Sequence, residues 1–516
     1  MHRCALLLLS LCVLERPDGR DPPSRAPTRT SSLFELRADL GAPRPETRRA
    51  AVRSLAALGT REAYAALLAA LADRDGSVAS EAQVRAAAPP EPRALVELFG
   101  PLGLRSREPG AAERAAEALG RSHLPVPCEL LERALRSADP PVARLLCWSV
   151  ERLAPAQRLA GERAPLAERL MQLCDAREPP EVRGAALLAL RYLDTRAADE
   201  RTEAAASARE PALRCAAALA ARAWSEIPAT RLGARLAADP DAGVRAGAIE
   251  LLARTTGRDA ALALVERLER EERARLRWRI LSHLRALSGE DHAFDAARWR
   301  EWARTRAGAV ATGDARGGPV GDTRVALAGL PLTSDRVAFL IDLSGSMWGT
   351  RVAGRTRKEI VDAELARALA TLPRSARFNV IPYATEAFPW ERALQAADPG
   401  TLRRAAADFA RCQQSGRGNL WAAVEAACSD PDLDAVVVLT DGVPTGGPHG
   451  DFDLLQALLL ERNRFRNVAF DLILVDAPRT KVLAWTAFAA ATGGRTTSVA
   501  LATLAEKGAR EPRRGG

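Results

Sequence analysis

Residues 336–346 read RVAFLIDLSGS, a short apolar run that leads directly into Asp342 and the motif D-x-S-x-S. A run of this length and composition predicts a buried strand, and strands buried on both faces are typical of a parallel sheet. A second such run, 434–439, leads into Thr440 and Asp441. Because the carboxyl ends of parallel strands meet at one edge of a sheet, we expect the two loops to lie close together, although 99 residues separate them (441−342).

The sequence on both sides of these runs alternates between strands and helices. Further strands are predicted over 377–383 and 468–475, and helices over 358–372, 399–411, 420–428, 453–462 and 480–491. This alternation predicts an α/β doubly wound, Rossmann-like unit over 335–504, with helices on both faces of a parallel sheet.

The side chains at the two strand ends are those that a hard cation prefers. Ser344 and Ser346 offer hydroxyl oxygens, and Asp342 and Asp441 supply negative charge, either directly or by holding metal-bound water. Magnesium keeps several water ligands and needs few carboxylates, so we expect Mg²⁺, or alternatively Mn²⁺ or Ca²⁺, at this edge of the sheet.

The motif, its position after a strand and the T-D-G sequence after the central strand together resemble a von Willebrand factor type A domain with a metal-ion-dependent adhesion site. The segment LTDGVPT at 439–445 and the late segment AATGGR at 490–495 are also typical of that family. The resemblance covers about 335–504. It implies adhesion-type binding of a protein partner through an exposed acidic residue, with Asp342, Ser344, Ser346 and Asp441 holding the cation.

One loop departs from the family pattern. The family's second metal loop usually reads G-x-T-N-L with threonine as a ligand, whereas residues 416–420 read GRGNL and place Gly418 at the threonine position. Ser415 is a candidate substitute, and water is another. Arg417 beside the site would weaken cation binding by like-charge repulsion. A degenerate site that keeps the fold without binding metal is therefore an alternative.

The preceding segment, 32–306, is predicted to be helical almost throughout, because apolar residues recur at three- and four-residue spacing. It contains a repeat of about thirty residues, whose arginines fall 31, 31 and 32 positions apart at Arg183, Arg214, Arg245 and Arg277. A two-helix unit with this period predicts an α-solenoid and resembles HEAT repeats. Each repeat arginine is expected to bind an acid of a neighbouring repeat.

Three further segments complete the expected organisation. Residues 1–31 combine a signal-like apolar stretch with a disordered leader, residues 307–334 form a glycine-rich linker, and residues 505–516 form a disordered tail. The linker predicts that the two folded halves are separable. The apolar stretch 4–14 is too short to span a bilayer, so no membrane span is expected. It favours an exported protein (periplasmic, secreted or envelope-attached), with a cytoplasmic one as the alternative.

Composition excludes several functions. The net charge is +9, but the arginines are scattered among acids and lack stacking aromatics, so no nucleic-acid binding is expected. No P-loop, no G-x-S-x-G and no C-x-x-C motif occurs, and we predict a binding protein without enzymatic activity. The alternatives are an accessory subunit of a chelatase- or AAA-type ATPase complex and a scaffold with a dead metal site. The sequence does not decide whether Cys412 and Cys428 form a disulfide.

Overall fold

The computed structural model describes residues 32–175, 177–305, 326–349, 351–352, 354–442 and 444–504. The expectations for residues 1–31 and 505–516, and for most of the linker, lie outside these residues. The described chain consists of a helical region, 33–305, called the array below, and an α/β unit, 326–504, with a six-stranded sheet.

The array is built from seventeen α-helices within the described residues. In chain order they are α1 (Leu33–Asp39), α2 (Pro45–Leu58), α3 (Arg61–Leu68), α4 (Gly76–Ala86), α5 (Pro92–Leu95), α6 (Ala111–Leu119), α7 (Cys128–Ser137), α8 (Pro140–Leu153), α9 (Ala164–Leu173), α10 (Pro180–Leu190), α11 (Thr195–Ala205), α12 (Pro211–Ala220), α13 (Glu226–Leu236), α14 (Ala242–Ala253), α15 (Arg258–Arg270), α16 (Ala274–Ser288) and α17 (Ala296–Thr305). Short 3-10 helices cover Ala69–Ala72, Val96–Phe99 and Ala221–Ala223, and two-residue strands β1 (Val126–Pro127) and β2 (Leu159–Ala160) pair in parallel.

The array helices stack in a regular order. Every second helix from α2 to α16 packs on the next member of the same layer, so that α10, for example, lies between α8 and α12. Proline at the first turn starts several of these helices, where its missing N–H costs nothing. The core between the layers consists mainly of alanine and leucine, and the small alanine side chains allow close helix contacts.

The repeat arginines connect successive units. The guanidinium of Arg214 forms two bonds of 2.6 and 2.8 Å to the carboxylate of Asp239, 25 residues later, and also donates to the backbone oxygens of Ala208 and Arg209. Arg48 with Asp73 and Arg245 with Glu271 repeat this arrangement. The expected bond from a repeat arginine to an acid of the next unit is confirmed at Arg214 and Arg245, and Arg48, which is not one of the four arginines named above, forms the same kind of bond.

The α/β unit contains ten strands and six helices within the described residues. The strands are β3 (Ala326–Leu327), β4 (Leu330–Pro331), β5 (Arg336–Asp342), β6 (Arg351–Val352), β7 (Arg355–Thr356), β8 (Arg377–Tyr383), β9 (Gln395–Ala396), β10 (Ala435–Thr440), β11 (Ala469–Val475) and β12 (Thr496–Val499). The helices are α18 (Ser346–Gly349), α19 (Arg357–Ala370), α20 (Pro399–Arg411), α21 (Leu420–Cys428), α22 (Phe452–Asn463) and α23 (Arg479–Ala491).

The central sheet has the strand order β12-β11-β10-β5-β8-β9, parallel except for the antiparallel edge strand β9. Alternate residues of β5 point to opposite faces, so Phe339 packs with α19 and α20, while Leu340 packs with α21, α22 and α23. After β5 the chain forms β8 and β9 on one side of this strand, and it then crosses to form β10, β11 and β12 on the other side. The expected α/β unit is therefore present, and β5 and β10 flank its switch point.

The segment just before the sheet belongs to the α/β core. Residues 326–334 were assigned to the linker on composition, but β3 and β4 form a hairpin here. Leu327, Leu330 and Leu332 of this segment are buried against the α19 side of the sheet. The sequence signal for this hairpin is the presence of apolar residues at alternate positions. The glycine-rich sequence around it favoured the linker assignment instead.

Helix α22 is shared between the two regions. Leu455 and Leu459 pack on the sheet, whereas Leu454 and Leu458 join the apolar core of the array, as does Phe465 just after the helix. A helix that is apolar on two sides is a buried helix. The α/β unit therefore presses one of its own core helices against the array.

Charged pairs surround this apolar contact. Arg464 donates to Glu151 over 2.8 Å, Arg144 pairs with Glu461, and Arg273 binds Asp432 over 2.5 Å. These contacts connect the two regions along most of the array. The linker composition predicted separable halves, but the structure has an extensive interface between them.

Two smaller observations bear on earlier expectations. Within the described residues, no helix combines the length and the apolar character that a membrane crossing requires. Cys412 and Cys428 are both free thiols.

We predict that Arg214→Met lowers the free energy of unfolding by about 3 kcal/mol, because it leaves the largely buried carboxylate of Asp239 without its guanidinium partner. Denaturant unfolding followed by circular dichroism measures the change. As a matched control, Arg196→Met removes an exposed arginine of the same array and should cost less than about 0.5 kcal/mol. Equal losses in both variants would contradict the role given to the repeat arginines.

Candidate functional site

The first loop of the candidate site starts inside the sheet. Asp342 is the last residue of β5 and is 1% exposed. Its Oδ1 accepts a hydrogen bond from the backbone N–H of Ser344 over 2.8 Å, which holds the tight turn after the strand. The hydroxyls of Ser344 and Ser346 lie 3.2 Å apart. The turn therefore places three side-chain oxygen groups next to one another.

The second strand end lies directly beside the first. Leu439 of β10 is in register with Ile341 of β5, so the residues that follow them emerge side by side. Thr440 donates its hydroxyl to Oδ2 of Asp342 over 2.8 Å. Ser346 donates its hydroxyl to Oδ2 of Asp441 over 2.8 Å. The structure thus brings together Asp342, Ser344, Ser346 and Asp441, the four residues that the two motifs predicted.

The site is electronegative. Burial raises the pKa of Asp342, and the nearby charge of Asp441 acts in the same direction, whereas hydrogen bonds from Ser344 and Thr440 oppose the shift. Two adjacent carboxylates favour the approach of a cation.

The second loop of the family pattern, residues 416–420, lies beside the first loop. The backbone N–H of Gly345 donates to the carbonyl of Gly416 over 3.0 Å. A Cβ atom on Gly418 would lie 3.5 Å from both carboxylate oxygens of Asp342. Gly418 therefore stands beside the candidate ligands, but it contributes no side-chain oxygen.

Ser415 and Arg417 take positions that the sequence did not reveal. Ser415 is exposed, and among the described residues it has no hydrogen bond to the other candidates. Arg417 does not point at the aspartates: its Nε donates to the carbonyl of Thr445, and its Nη1 donates to Asp75 of the array over 3.1 Å. Its charge is thus met by Asp75, which removes the expected repulsion.

The donor set fits a hard divalent cation. Two carboxylates and two hydroxyls converge, and all of them are oxygen ligands of the kind that magnesium, manganese and calcium prefer. Among the described residues, no three histidine, cysteine, aspartate or glutamate side chains form a cluster that could hold a metal ion.

Two further residues support the site. Thr440 holds the Asp342 carboxylate in place, and its position in the T-D-G motif is the sequence signal for this role. Tyr383, at the end of the neighbouring strand β8, is 1% exposed, and burial followed by the charge of Asp342 raises its pKa well above the usual range. The sequence signal for Tyr383 is that it is a polar residue at the end of β8, the parallel strand next to β5.

The loop after β10 packs on the array. His449 of this loop is partly buried, and its ring lies edge-on to that of Trp421 with the centroids 4.4 Å apart. Its Nδ1 has no hydrogen-bond partner among the described residues. Next to it, Ser80 of α4 accepts from the N–H of Gly450 over 2.8 Å.

The backbones of the two regions approach each other closely at Gly76. A Cβ atom there would come within 1.9 Å of the carbonyl oxygen of Gly447. Only glycine permits this backbone contact at the first residue of α4. Together with the Asp75–Arg417 pair, it anchors two loops of the candidate site to the start of that helix.

Comparisons with known proteins give limited matches. No protein-family profile matches the chain. Inter alpha-trypsin inhibitor heavy chain 4 from Mus musculus is 32% identical over 130 residues, which cover 23% of this chain and 13% of that protein. The chain thus spans about an eighth of the length of this relative.

Solved structures show weak likenesses. A von Willebrand factor type A protein from Catenulispora acidiphila has 21% identity over 33% of this chain and 40% of its own, with a TM-score of 0.28. The CpcE–CpcF complex of the phycocyanin lyase from Nostoc sp. has 19% identity over 56% of this chain and 100% of the matched chain, with a TM-score of 0.27. At these TM-scores the likenesses carry no argument about function.

The environment of His449 predicts acid sensitivity. Burial and the charge of Arg114 together lower its pKa to about 4, against the opposing charge of Glu117. Between pH 6.5 and 4 the unfolded state therefore binds more protons than the folded state. The free energy of unfolding keeps its full value above pH 6.5 and decreases as the pH falls through this window. The loss should reach up to about 3 kcal/mol.

Urea unfolding at a series of pH values measures this loss. We expect His449→Gln to flatten the dependence between pH 6.5 and 4, whereas His123→Gln, at an exposed histidine of the array, should leave it as in the wild type. A His449 variant with an unchanged pH dependence would show that this ring is not the titrating group.

Proposed function

We propose that the α/β unit is a von Willebrand factor type A-like domain with a metal-ion-dependent adhesion site, and that it binds an acidic residue of a protein partner in a divalent-cation-dependent manner. The array is, in this proposal, a HEAT-like α-solenoid that supports the domain. The proposed activity is binding and involves no catalytic step.

One observation carries the proposal. Asp342, Ser344, Ser346 and Asp441 come from two loops 95 or more positions apart in the chain, yet they form a continuous hydrogen-bonded group at the carboxyl edge of the sheet. Ligands of doubly wound sheets bind at this edge, next to the switch point. Ser346 and Gly345 are exposed, so that a partner can reach the site.

The chain's own residues have distinct parts in such a site. Ser344 and Ser346 would contribute hydroxyl oxygens, and the buried Asp342 and the less buried Asp441 would contribute charge directly or through bound water. A bound Mg²⁺ would supply positive charge and an open coordination position for a carboxylate of the partner. Thr440 and the backbone N–H of Ser344 keep the Asp342 carboxylate in one orientation.

The array supports the proposal in two ways. Its repeat of about thirty residues and its arginine bonds between successive units are what a solenoid of stacked helix pairs requires. Its helix α4 also fixes the loops around the site, through Asp75 and Gly76. A rigid support reduces the conformational entropy that the loops would lose when a partner binds.

The second loop offers a direct test of cation binding. Gly418→Thr adds a hydroxyl next to Asp342; the backbone there lies outside the left-handed region, and the new Cβ would stand at ordinary van der Waals distance from its nearest neighbours. We expect Mg²⁺ or Mn²⁺ to bind about fivefold more tightly, corresponding to about 1 kcal/mol for one added oxygen contact. Isothermal titration calorimetry measures the affinity.

Gly418→Val is the matched control, because valine has the shape of threonine without the oxygen. It should leave the affinity unchanged or reduce it. Equal tightening by valine and threonine, or tightening by neither, would contradict a metal position next to Gly418.

The partner chemistry is tested with a displayed library of random peptides. Peptides selected on the full chain in Mg²⁺ should be enriched in aspartate or glutamate, and they should be released by a chelator. Asp441→Asn should weaken their binding by at least about tenfold, because a charged contact is lost. Asp453→Asn removes an exposed carboxylate outside the site and should have no effect. Selected peptides that bind equally well without Mg²⁺, or to Asp441→Asn, would overturn the proposal.

A further inference from the structure

A cavity of about 340 Å³ lies between the array and the α/β unit, on the side away from the candidate cation site. Five arginines line it, together with a single acid, Glu250: Arg222, Arg254, Arg275, Arg279 and Arg464. The array walls come from the region of α12, α14 and α16, and the other wall comes from the ends of α22 and α23. Its volume is at the lower end of the range for small-molecule sites, which often lie between domains.

The positive charge in this cavity is only partly met by the protein. Glu250 already accepts from Arg279 over 2.5 Å and contacts His283 over 3.1 Å. Within the described residues, Arg222 and Arg254 have no ion-pair partner, and Nε of Arg222 is buried without a hydrogen bond. The Glu250 carboxylate is thus the one acidic group in the cavity lining for Arg222, Arg254 and Arg279, and it also contacts His283.

The remaining two arginines are held at the walls. Arg275 donates its Nη1 to the backbone oxygens of Asp434 and Asn467. Arg464 binds Glu151 through Nη1, and a carboxylate oxygen of Glu461 lies 3.9 Å from its Nε. Guanidinium groups therefore line the cavity from both sides, and the two that lack an ion-pair partner among the described residues, Arg222 and Arg254, belong to the array.

The electrostatics agree with this geometry. Burial lowers the pKa of Arg222, and the charges of Arg254 and Arg279 lower it further, against the effect of Glu250. Burial likewise lowers the pKa of Arg275, and the charge of Arg279 acts in the same direction, whereas the charges of Asp434, Asp471 and Glu250 oppose the shift. Like charges held together in a partly buried cavity raise the free energy of the folded chain unless an anion neutralises them.

We propose that this cavity binds a small anion of the phosphate class, either free or as part of a small phosphorylated molecule. Planar guanidinium groups match the oxygens of a phosphate in geometry as well as in charge. A ligand there would contact array arginines on one side and Arg464 on the other. It would therefore stabilise the docked arrangement of the two regions, independently of any cation at Asp342.

The test uses the full chain in metal-free buffer at constant ionic strength, so that the candidate cation site has no part in it. Equilibrium dialysis and thermal unfolding are measured with inorganic phosphate and with pyrophosphate, against chloride. We expect one anion to bind per chain and the melting temperature to rise to saturation. Equal binding of the two anions assigns a single phosphate group, and tighter binding of pyrophosphate assigns a diphosphate.

Two variants and a matched control locate the site. Arg254→Gln, at an exposed position that does not contribute to the core, and Arg222→Gln should each weaken binding by at least about tenfold. Arg258→Gln removes the same charge from an exposed arginine outside the cavity and should bind as the wild type does. If no anion binds at millimolar concentration, or if Arg254→Gln binds as tightly as Arg258→Gln, the proposal is wrong.

Discussion

The contact made by α22 decides how this chain is put together. One side of the helix completes the core of the sheet through Leu455 and Leu459, and the other side completes the core of the array through Leu454 and Leu458. Removing either neighbour would expose a row of leucines to water, at roughly 1.5–3 kcal/mol for each fully buried side chain. The two regions differ in architecture, yet neither covers its apolar surface without the other.

This docking has consequences for the loops at the carboxyl edge of the sheet. The segments after β10 and before α21 extend from the sheet to the start of α4, where Asp75 holds Arg417 and Gly76 touches Gly447. Loops that carry binding residues are usually mobile. Here, contacts from a separate helical region restrain them, so the positions of Asp441 and Gly418 depend on array residues more than three hundred positions away in the chain.

Local pattern was enough for much of the fold. The expected ranges 399–411 and 420–428 coincide with α20 and α21, and the four aspartate and serine candidates meet as the paired strand ends require. The short edge strand β9 and the hairpin at 326–331 lack a long periodic signal and were not predicted. The two-sided packing of α22 and the turn of Arg417 toward Asp75 depend on which distant surface lies opposite, which no local pattern encodes.

The shared helix also bears on the order in which the chain is made. Synthesis proceeds from the amino terminus, and regions that emerge first generally begin to fold first. The array residues 32–305 are therefore available as a surface before Leu454 and Leu458 leave the ribosome. The surface that receives the leucines of α22 is thus synthesised before the leucines themselves.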